Sequence, residues 1–304
     1  LNYRGGINDP IGYAVGLSHD ATDYCNTTNF RLFDSTTDKA TMTVFFTPSQ
    51  VAQWSLDLGL TKYDSNDATL KESTTHSVSL GLNRQLDQTL DLNAAIGYSR
   101  IVTDEVIGGL PVRSHDNGAT GTLGLTKTLP NGTAGVVLQQ SQTANGAYTS
   151  LSFSRSMVLP LGTLSASLGA VHTESGDTNW IGSLAYNRQL RSSDFLVSFD
   201  RTVSTNALDE DVLDTLLQAN YGYTINQVSR LDFNLSYGRS EGAGLSTVPT
   251  VQRTTLTASY THNLTPDWDL TGGVQLRSRD ETGVGKADSK SVFVNLARSY
   301  SFRP

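Results

Sequence analysis

The sequence is poor in the features that stabilise or anchor many chains of its size. It has one cysteine, Cys25, so no disulfide can form within the chain, and we interpret this lone thiol as a neutral packed or loop residue. Hydrophobic residues make up only 37% of the 304 positions, and no run approaches the roughly 18 apolar residues that a spanning helix needs. A disulfide scaffold and a helical membrane protein are therefore excluded.

Positive charge and clustered histidines are also scarce. Lysine and arginine (22) are outnumbered by aspartate and glutamate (29), which gives a net charge of −7. Because a nucleic-acid-binding surface requires a clustered basic face, we expect no nucleic-acid partner. The five histidines are scattered, without a nucleophile motif or metal-ligand spacing: His19, His76, His115, His172 and His262. We therefore expect no enzymatic activity, no metal and no cofactor.

What the sequence does contain is a β composition, with 27 glycines, 12 tyrosines and 10 phenylalanines among many serines and threonines. Short segments alternate apolar and polar residues, and every second break between them has the chemistry of a tight turn. Seven such turns occur, at 47–50, 87–88, 130–132, 160–162, 191–194, 226–229 and 265–267. Eight other breaks, mostly longer and more charged, lie at 20–38, 64–74, 103–117, 143–147, 174–178, 204–212, 240–250 and 280–288.

Fifteen breaks join sixteen strands, and short turns alternating with longer loops are typical of transmembrane barrels. The predicted strand centres lie near 16, 43, 58, 79, 96, 123, 137, 153, 168, 184, 199, 219, 235, 258, 273 and 296. The sequence thus predicts an all-β fold, a transmembrane antiparallel up-and-down β-barrel of sixteen strands. Residues 1–304 would form one domain, with residues 1–10 as a periplasmic N-terminal segment. A soluble array of β-sandwiches is the alternative, since alternation alone does not orient the faces.

Parity assigns the two faces of each strand. In the strand near 96, Leu90, Leu92 and Ile96 share one face, and Asp91 and Asn93 share the other. In a barrel the apolar face meets lipid and the polar face lines the lumen. The pore-lining candidates are Asp57, Asp91, Asn93, Asp232, Asn234, Asp269 and Gln275.

Basic and aromatic residues lie at the ends of the apolar faces, where they would meet the membrane interface. The ten residues from Leu90 to Arg100 span about 25 Å in a tilted strand, the height of the apolar band in outer-membrane barrels. The interface candidates are Trp54, Trp180, Trp268, Lys62, Arg84, Arg100, Lys127, Arg155, Arg188, Arg201, Arg239 and Arg298.

Four of the inward residues are acidic: Asp57, Asp91, Asp232 and Asp269. We expect them at similar depth, on strands that become neighbours when the sheet closes, so that they form an acidic arc favouring cations. The alternative is local: the carboxylates pair with Arg230 or support the turns. The remaining inward positions are mainly neutral hydroxyls and amides, which suit water and sugar hydroxyls.

The last strand carries a family resemblance. Residues 292–302 alternate apolar side chains and close on Tyr300 and Phe302, which resembles the C-terminal signal of bacterial outer-membrane proteins. The resemblance implies recognition by the barrel-assembly machinery, although Arg303 and Pro304 follow the aromatic residue. The repeated rhythm of Tyr186, Arg188 and Leu190 before a turn is similar to that of β-barrel porin families in exopolysaccharide and other exported-polymer systems.

These observations favour a channel in the outer membrane of a Gram-negative bacterium. It would carry hydrophilic solutes by passive diffusion or export, with a neutral polysaccharide as the more specific prediction. The expected partners are outer-membrane lipid, lipopolysaccharide and the barrel-assembly machinery. The alternative is a structural barrel that anchors a periplasmic or surface protein in an envelope assembly.

Overall fold

A computed structural model of the chain describes residues 1–6, 9–23, 34–66, 70–174, 176–205, 211–243 and 248–299. These residues contain seventeen antiparallel up-and-down strands, which confirms the predicted all-β fold class. The strands are β1 (Asn2–Gly5), β2 (Ile11–Thr22), β3 (Ser35–Ser49), β4 (Ala52–Ser65), β5 (Glu72–Gln85), β6 (Leu90–Ile107), β7 (Leu110–Leu129), β8 (Gly132–Thr143), β9 (Gly146–Leu159), β10 (Gly162–Thr173), β11 (Thr178–Gln189), β12 (Ser193–Thr205), β13 (Asp211–Asn226), β14 (Ser229–Gly242), β15 (Val251–Thr265), β16 (Trp268–Glu281) and β17 (Gly285–Arg298). No helix in this described part is long and apolar enough to cross a membrane.

The chain divides into two compact units. Unit 1 comprises Leu1–Thr128, Gly135–Leu151 and His172–Gly176. In it, each strand from β1 to β7 pairs antiparallel with the next. The N-terminal amine donates a 2.6 Å hydrogen bond to the carbonyl oxygen of Leu17, so β1 runs back along the first half of β2.

Unit 2 comprises Leu129–Ala134, Ser152–Val171 and Asp177–Pro304. Its strands from β11 to β17 again pair antiparallel in chain order. Small register shifts occur beside two of the turns, between Thr224 and Asn226 and between Asn263 and Thr265. The other described pairings of β11 to β17 are regular, so the parity of the two faces is preserved across these strands.

Large apolar side chains are exposed on one face of each unit. Ile96 is 69% exposed in unit 1 and Val292 81% in unit 2. Within the described residues only six apolar side chains are buried: Ile101, Tyr148, Val171, Val212, Leu213 and Ala243. A water-soluble monomer rarely exposes so continuous an apolar surface, so these faces need an apolar environment.

All sixteen predicted strand centres fall within strands, and each of the seven predicted tight turns connects two of them. The structure adds β1 within the predicted N-terminal segment.

The predicted break at 103–117 is wrong. There β6 and β7 stay paired as far as Ile107 and Leu110. The turn is Gly108–Gly109, whose φ angles of 60° and 82° suit a two-residue hairpin turn. The break at 280–288 is also shorter than predicted, since β16 reaches Glu281 and β17 begins at Gly285.

Three predictions concern residues outside the described part of the chain. Cys25 lies there, as does most of the predicted break at 20–38, although β2 and β3 take up its two ends. Tyr300 and Phe302, the predicted assembly signal, also lie there.

Candidate functional site

The polar face of unit 1 is a series of rows in which paired residues lie side by side across the strands. Asp57 occupies a row between Thr43 of β3 and Ser79 of β5. Its two carboxylate oxygens accept hydrogen bonds from the hydroxyls of Thr43 (2.7 Å) and Ser55 (2.9 Å). The charge of Asp57 is thus held by neutral hydroxyl donors on the polar face, and no cation pairs with it among the described residues.

Nearer the short turns, the same face opens into a groove of about 560 Å³. Five amides line it, with one carboxylate, one guanidinium and three hydroxyls: Gln50, Gln53, Asn83, Gln85, Asn93, Asp91, Arg84, Thr47, Ser49 and Thr126. Asn93 lies opposite Asn83, and its side-chain amide donates to the Asn83 amide oxygen. Amides and one carboxylate around an open groove can donate to and accept from the hydroxyls of a sugar.

The polar face of unit 2 has an ion-pair bridge near the short turns. Asp194 of β12, Gly222 of β13 and Asp232 of β14 lie in one row. The Arg230 guanidinium donates from Nε to Asp232 Oδ1 and from Nη2 to Asp194 Oδ1, both at 2.7 Å. A Cβ atom on Gly222 would collide with Arg230 Nη2, so the glycine leaves the space in which the guanidinium lies. We call this group the Arg230 bridge.

The rows above the Arg230 bridge are predominantly neutral. One contains Asn187, Leu196, Asn220, Asn234, Thr257, Gln275 and Ser291. The Gln275 amide donates to Thr257 Oγ1 at 3.2 Å. The predicted lining residues Asn234 and Gln275 therefore share a belt of amides and hydroxyls.

Within each unit, the two aspartates lie in different rows of paired residues. In unit 1, Asp57 pairs with Ser79, which in turn pairs with Gly97 of β6. Gly97 lies six residues along β6 from Asp91. In unit 2, Asp232 pairs with Ser259, which in turn pairs with Gly273 of β16. Gly273 lies four residues along β16 from Asp269. Asp232 is also neutralised by Arg230, as the local alternative predicted. Asp232 is thus paired locally, and the arc that would join all four aspartates stays a prediction.

Three arginines on the polar face of unit 2 were missed by the sequence analysis. Arg253 lies directly opposite Arg279, and Arg277 lies two residues before Arg279 on the same face. The same parity that assigned Ser259 and Gln275 to the polar face leads to these residues when it is continued toward the loops. That continuation would have found them.

The predicted interface residues lie on the apolar faces. In unit 1, Lys127 is opposite Leu90, ten residues along β6 from Arg100. In unit 2, Arg239 shares the face of Leu235 and Tyr237 on β14. The same register puts Trp54, Lys62, Arg84, Arg188, Arg201, Trp268 and Arg298 on these faces, while Trp180 and Arg155 have the strand parity of Leu184 and Phe153.

Aromatic rings lie against two of these cations. The guanidinium carbon of Arg201 lies 4.5 Å from the centroid of the Trp180 ring, which stacks on Phe199. Arg298 lies 5.3 Å from the ring of Trp268 at the opposite end of the band. Such contacts suit residues that have an apolar body and a polar end.

Within the described ranges, no group of three or more histidine, cysteine, aspartate or glutamate side chains could hold a metal ion.

The seventeen antiparallel strands with one apolar and one polar face define a class of fold, that of Gram-negative outer-membrane β-barrels, as solved structures show. The siderophore receptor PirA from Acinetobacter baumannii aligns with a TM-score of 0.51 and 8% identity, over 99% of this chain and 71% of PirA. The outer membrane transporter YddB from Escherichia coli aligns with a TM-score of 0.53 and 11% identity.

A variant of the ferric enterobactin receptor PfeA from Pseudomonas aeruginosa also aligns, with a TM-score of 0.53 and 9% identity, over 96% of this chain and 68% of PfeA. The chain covers 54% of YddB, with 92% of its own length aligned. At these identities the likeness establishes the fold alone. No family model matches the sequence, and no curated protein matches it.

Proposed function

We propose that this chain is an outer-membrane channel through which hydrophilic solutes diffuse or are exported. The observation that carries the proposal is the row of mainly amide and hydroxyl side chains that crosses the polar face of unit 2 from Asn187 to Ser291, with a groove in unit 1 that amides also line. Hydrogen-bonding groups without charge can exchange partners with a passing solute and do not hold it as an ion pair would.

The finer proposal is that the solute is a polysaccharide. Sugar hydroxyls both donate and accept hydrogen bonds, as do the side chains of Asn83, Asn93, Asn220 and Asn234. The apolar faces would then contact outer-membrane lipid and lipopolysaccharide, with the basic residues at their edges near the phosphate groups. Delivery to a Gram-negative outer membrane by the barrel-assembly machinery belongs to the same proposal.

Single-channel recording of the purified full chain in planar bilayers tests the proposal. We expect stable open events of large conductance, because a barrel of this strand number encloses a water-filled lumen unless something fills it. Liposome swelling with neutral oligosaccharides should then show uptake. A protein that stays electrically silent and co-purifies with a second protein would contradict the channel and favour the anchoring alternative.

A further inference from the structure

The three arginines on the polar face of unit 2 form a cluster at the loop ends of β15 and β16. Arg253 and Arg279 are directly opposite partners, and Arg277 lies one residue pair further along the same face. All three side chains are exposed. Like charges that lie directly opposite across two strands repel each other, so this arrangement does not stabilise the sheet.

The residues paired with the cluster on the flanking strands β14 and β17 are small and uncharged. Gly238 and Ala287 flank the row that contains Arg253 and Arg279, and a Cβ atom built on Gly238 would meet no atom within 4 Å. In the adjacent row, Thr255 and Ser289 flank Arg277. The guanidinium groups therefore have open space beside them and hydroxyl groups within the same patch.

Among the described residues, one arginine of the cluster has an ion-pair partner. Arg279 Nη2 donates to Glu281 Oε2 at 2.6 Å. Arg253 and Arg277 form no ion pair within that part of the chain. Asp200 shares the row of Arg253 and Arg279, beyond Gly238 and Leu216, but no ion pair joins it to either arginine. Arg253 and Arg277 therefore carry charges that no carboxylate contacts among the described residues.

The Arg230 bridge shows the surroundings of an arginine that has a structural role in the same sheet. Arg230 lies between two carboxylates and contacts both. Arg253 and Arg277, on the neighbouring strands of the same face, have no such partners among the described residues. The difference points to an oxyanion supplied from outside the chain.

We propose that Arg253, Arg277 and Arg279 form a binding site for oxyanion groups, carboxylate or phosphate, carried by the solute. Guanidinium groups bind both oxyanions through paired N–H donors. This inference rests on the proposed function and narrows its solute class to a saccharide that bears acidic groups. The acidic groups would bind the arginine cluster, and the sugar hydroxyls would meet the neutral rows below it.

Titration calorimetry on the detergent-purified full chain tests the site without requiring conduction. The probes are oligogalacturonate for a sugar carboxylate, tripolyphosphate for a free phosphate, and a maltooligosaccharide as the neutral control. We expect the wild type to bind oligogalacturonate and not the maltooligosaccharide. Binding of tripolyphosphate without binding of oligogalacturonate would assign the site to a free phosphate and overturn the acidic saccharide.

The variant Arg253→Gln/Arg277→Gln should weaken binding of the acidic probe by about tenfold or more, because two charge-assisted contacts are removed. The matched control is Lys290→Gln, which removes a positive charge from the opposite face of the sheet. Lys290 lies opposite Leu276 on the apolar face, one position from the pair of Arg277 and Ser289. Binding should be unchanged in this control.

Equal weakening in the arginine variant and in Lys290→Gln would overturn the site, as would an absence of acidic-probe binding to the wild type at low salt. If the double variant does not fold, as judged by circular dichroism, the single variant Arg277→Gln takes its place. A chain that binds the acidic probe but does not conduct overturns the channel and retains the site. A chain that conducts but does not bind the probe overturns only the site.

Discussion

At the scale of single residues, one glycine determines how an ion pair is built. Gly222 lies between Asp194 and Asp232 in its row, and its missing side chain is the space that the Arg230 guanidinium occupies. Sequence alone indicated only that Arg230 and Asp232 are two residues apart on one face. The third partner, Asp194, comes from another strand, so only the register of the sheet could reveal it.

Asp87, in the turn between β5 and β6, provides a residue-scale prediction about pH. The Thr89 backbone N–H (2.6 Å) and the Thr89 hydroxyl (2.9 Å) donate to its carboxylate and lower its pKa. A carboxyl group whose folded pKa is lowered adds stability above its unfolded pKa of about 3.9, and that stability is lost as the pH falls through the folded pKa.

Thermal unfolding in detergent micelles between neutral pH and pH ~3 should therefore show Asp87→Asn to be less stable than the wild type at neutral pH. The two proteins should converge in acid. Thr89→Val, which keeps the backbone donor and removes the hydroxyl, should show a smaller difference. A gap that stays constant across the pH range would contradict this account of the turn.

At the scale of strands, the sequence was sufficient to predict which residues alternate between the two faces. It was not sufficient to predict which residues of neighbouring strands are paired. Alternating residues such as Leu90 and Asp91 predicted every strand from β2 to β17 and its two faces. The relative depth of Asp57 and Asp91 depends on the exact pairing across β5, and an error of two residues changes depth without changing face. Charged residues such as Asp104 and Arg113 made the ends of β6 and β7 resemble loops, although they pair across the hairpin there.

The Arg230 bridge provides the prediction at this scale. Arg230→Gln should make the proposed channel more cation-selective, because Asp194 and Asp232 lose their cation on the polar face. The stability change should be small, about 0–1 kcal/mol, since all three side chains are partly exposed. Reversal potentials in a salt gradient measure the selectivity.

Removing carboxylates from the polar face provides the control for the Arg230 bridge. Replacing Asp57, Asp91, Asp232 and Asp269 with asparagine should lower cation preference. If neither variant moves the reversal potential, the polar face does not set the selectivity of the pore.

At the scale of the whole molecule, the decisive property is which face meets lipid. Ile96 lies near the middle of the apolar face of β6, opposite Leu80 and Gly121. Its neighbour Ala95 points to the polar face, opposite Gly81 and Thr122. Ile96 and Ala95 are adjacent in the chain, but the first lies on the apolar face and the second on the polar face.

Ile96→Lys should destabilise the protein in lipid bilayers by about 2–4 kcal/mol, because a charge at the band centre must leave water. Ala95→Lys should change stability by only about 0.5 kcal/mol, as hydrated positions do. Chemical denaturation in liposomes measures both. If the protein were a soluble β-sandwich array, Ile96→Lys would destabilise it no more than Ala95→Lys. The protein would then also be extracted without detergent.

The paired extension of β6 and β7 has a practical consequence for the intact cell. Arg100 marks one edge of the apolar band, and the hairpin continues from there to its turn at Gly108–Gly109, a further distance of roughly 25 Å along the strand. A short peptide inserted between those two glycines would be displayed on a hydrogen-bonded stalk beyond the lipid headgroups. Antibody labelling of whole cells carrying that insertion would report which side of the membrane the longer loops face.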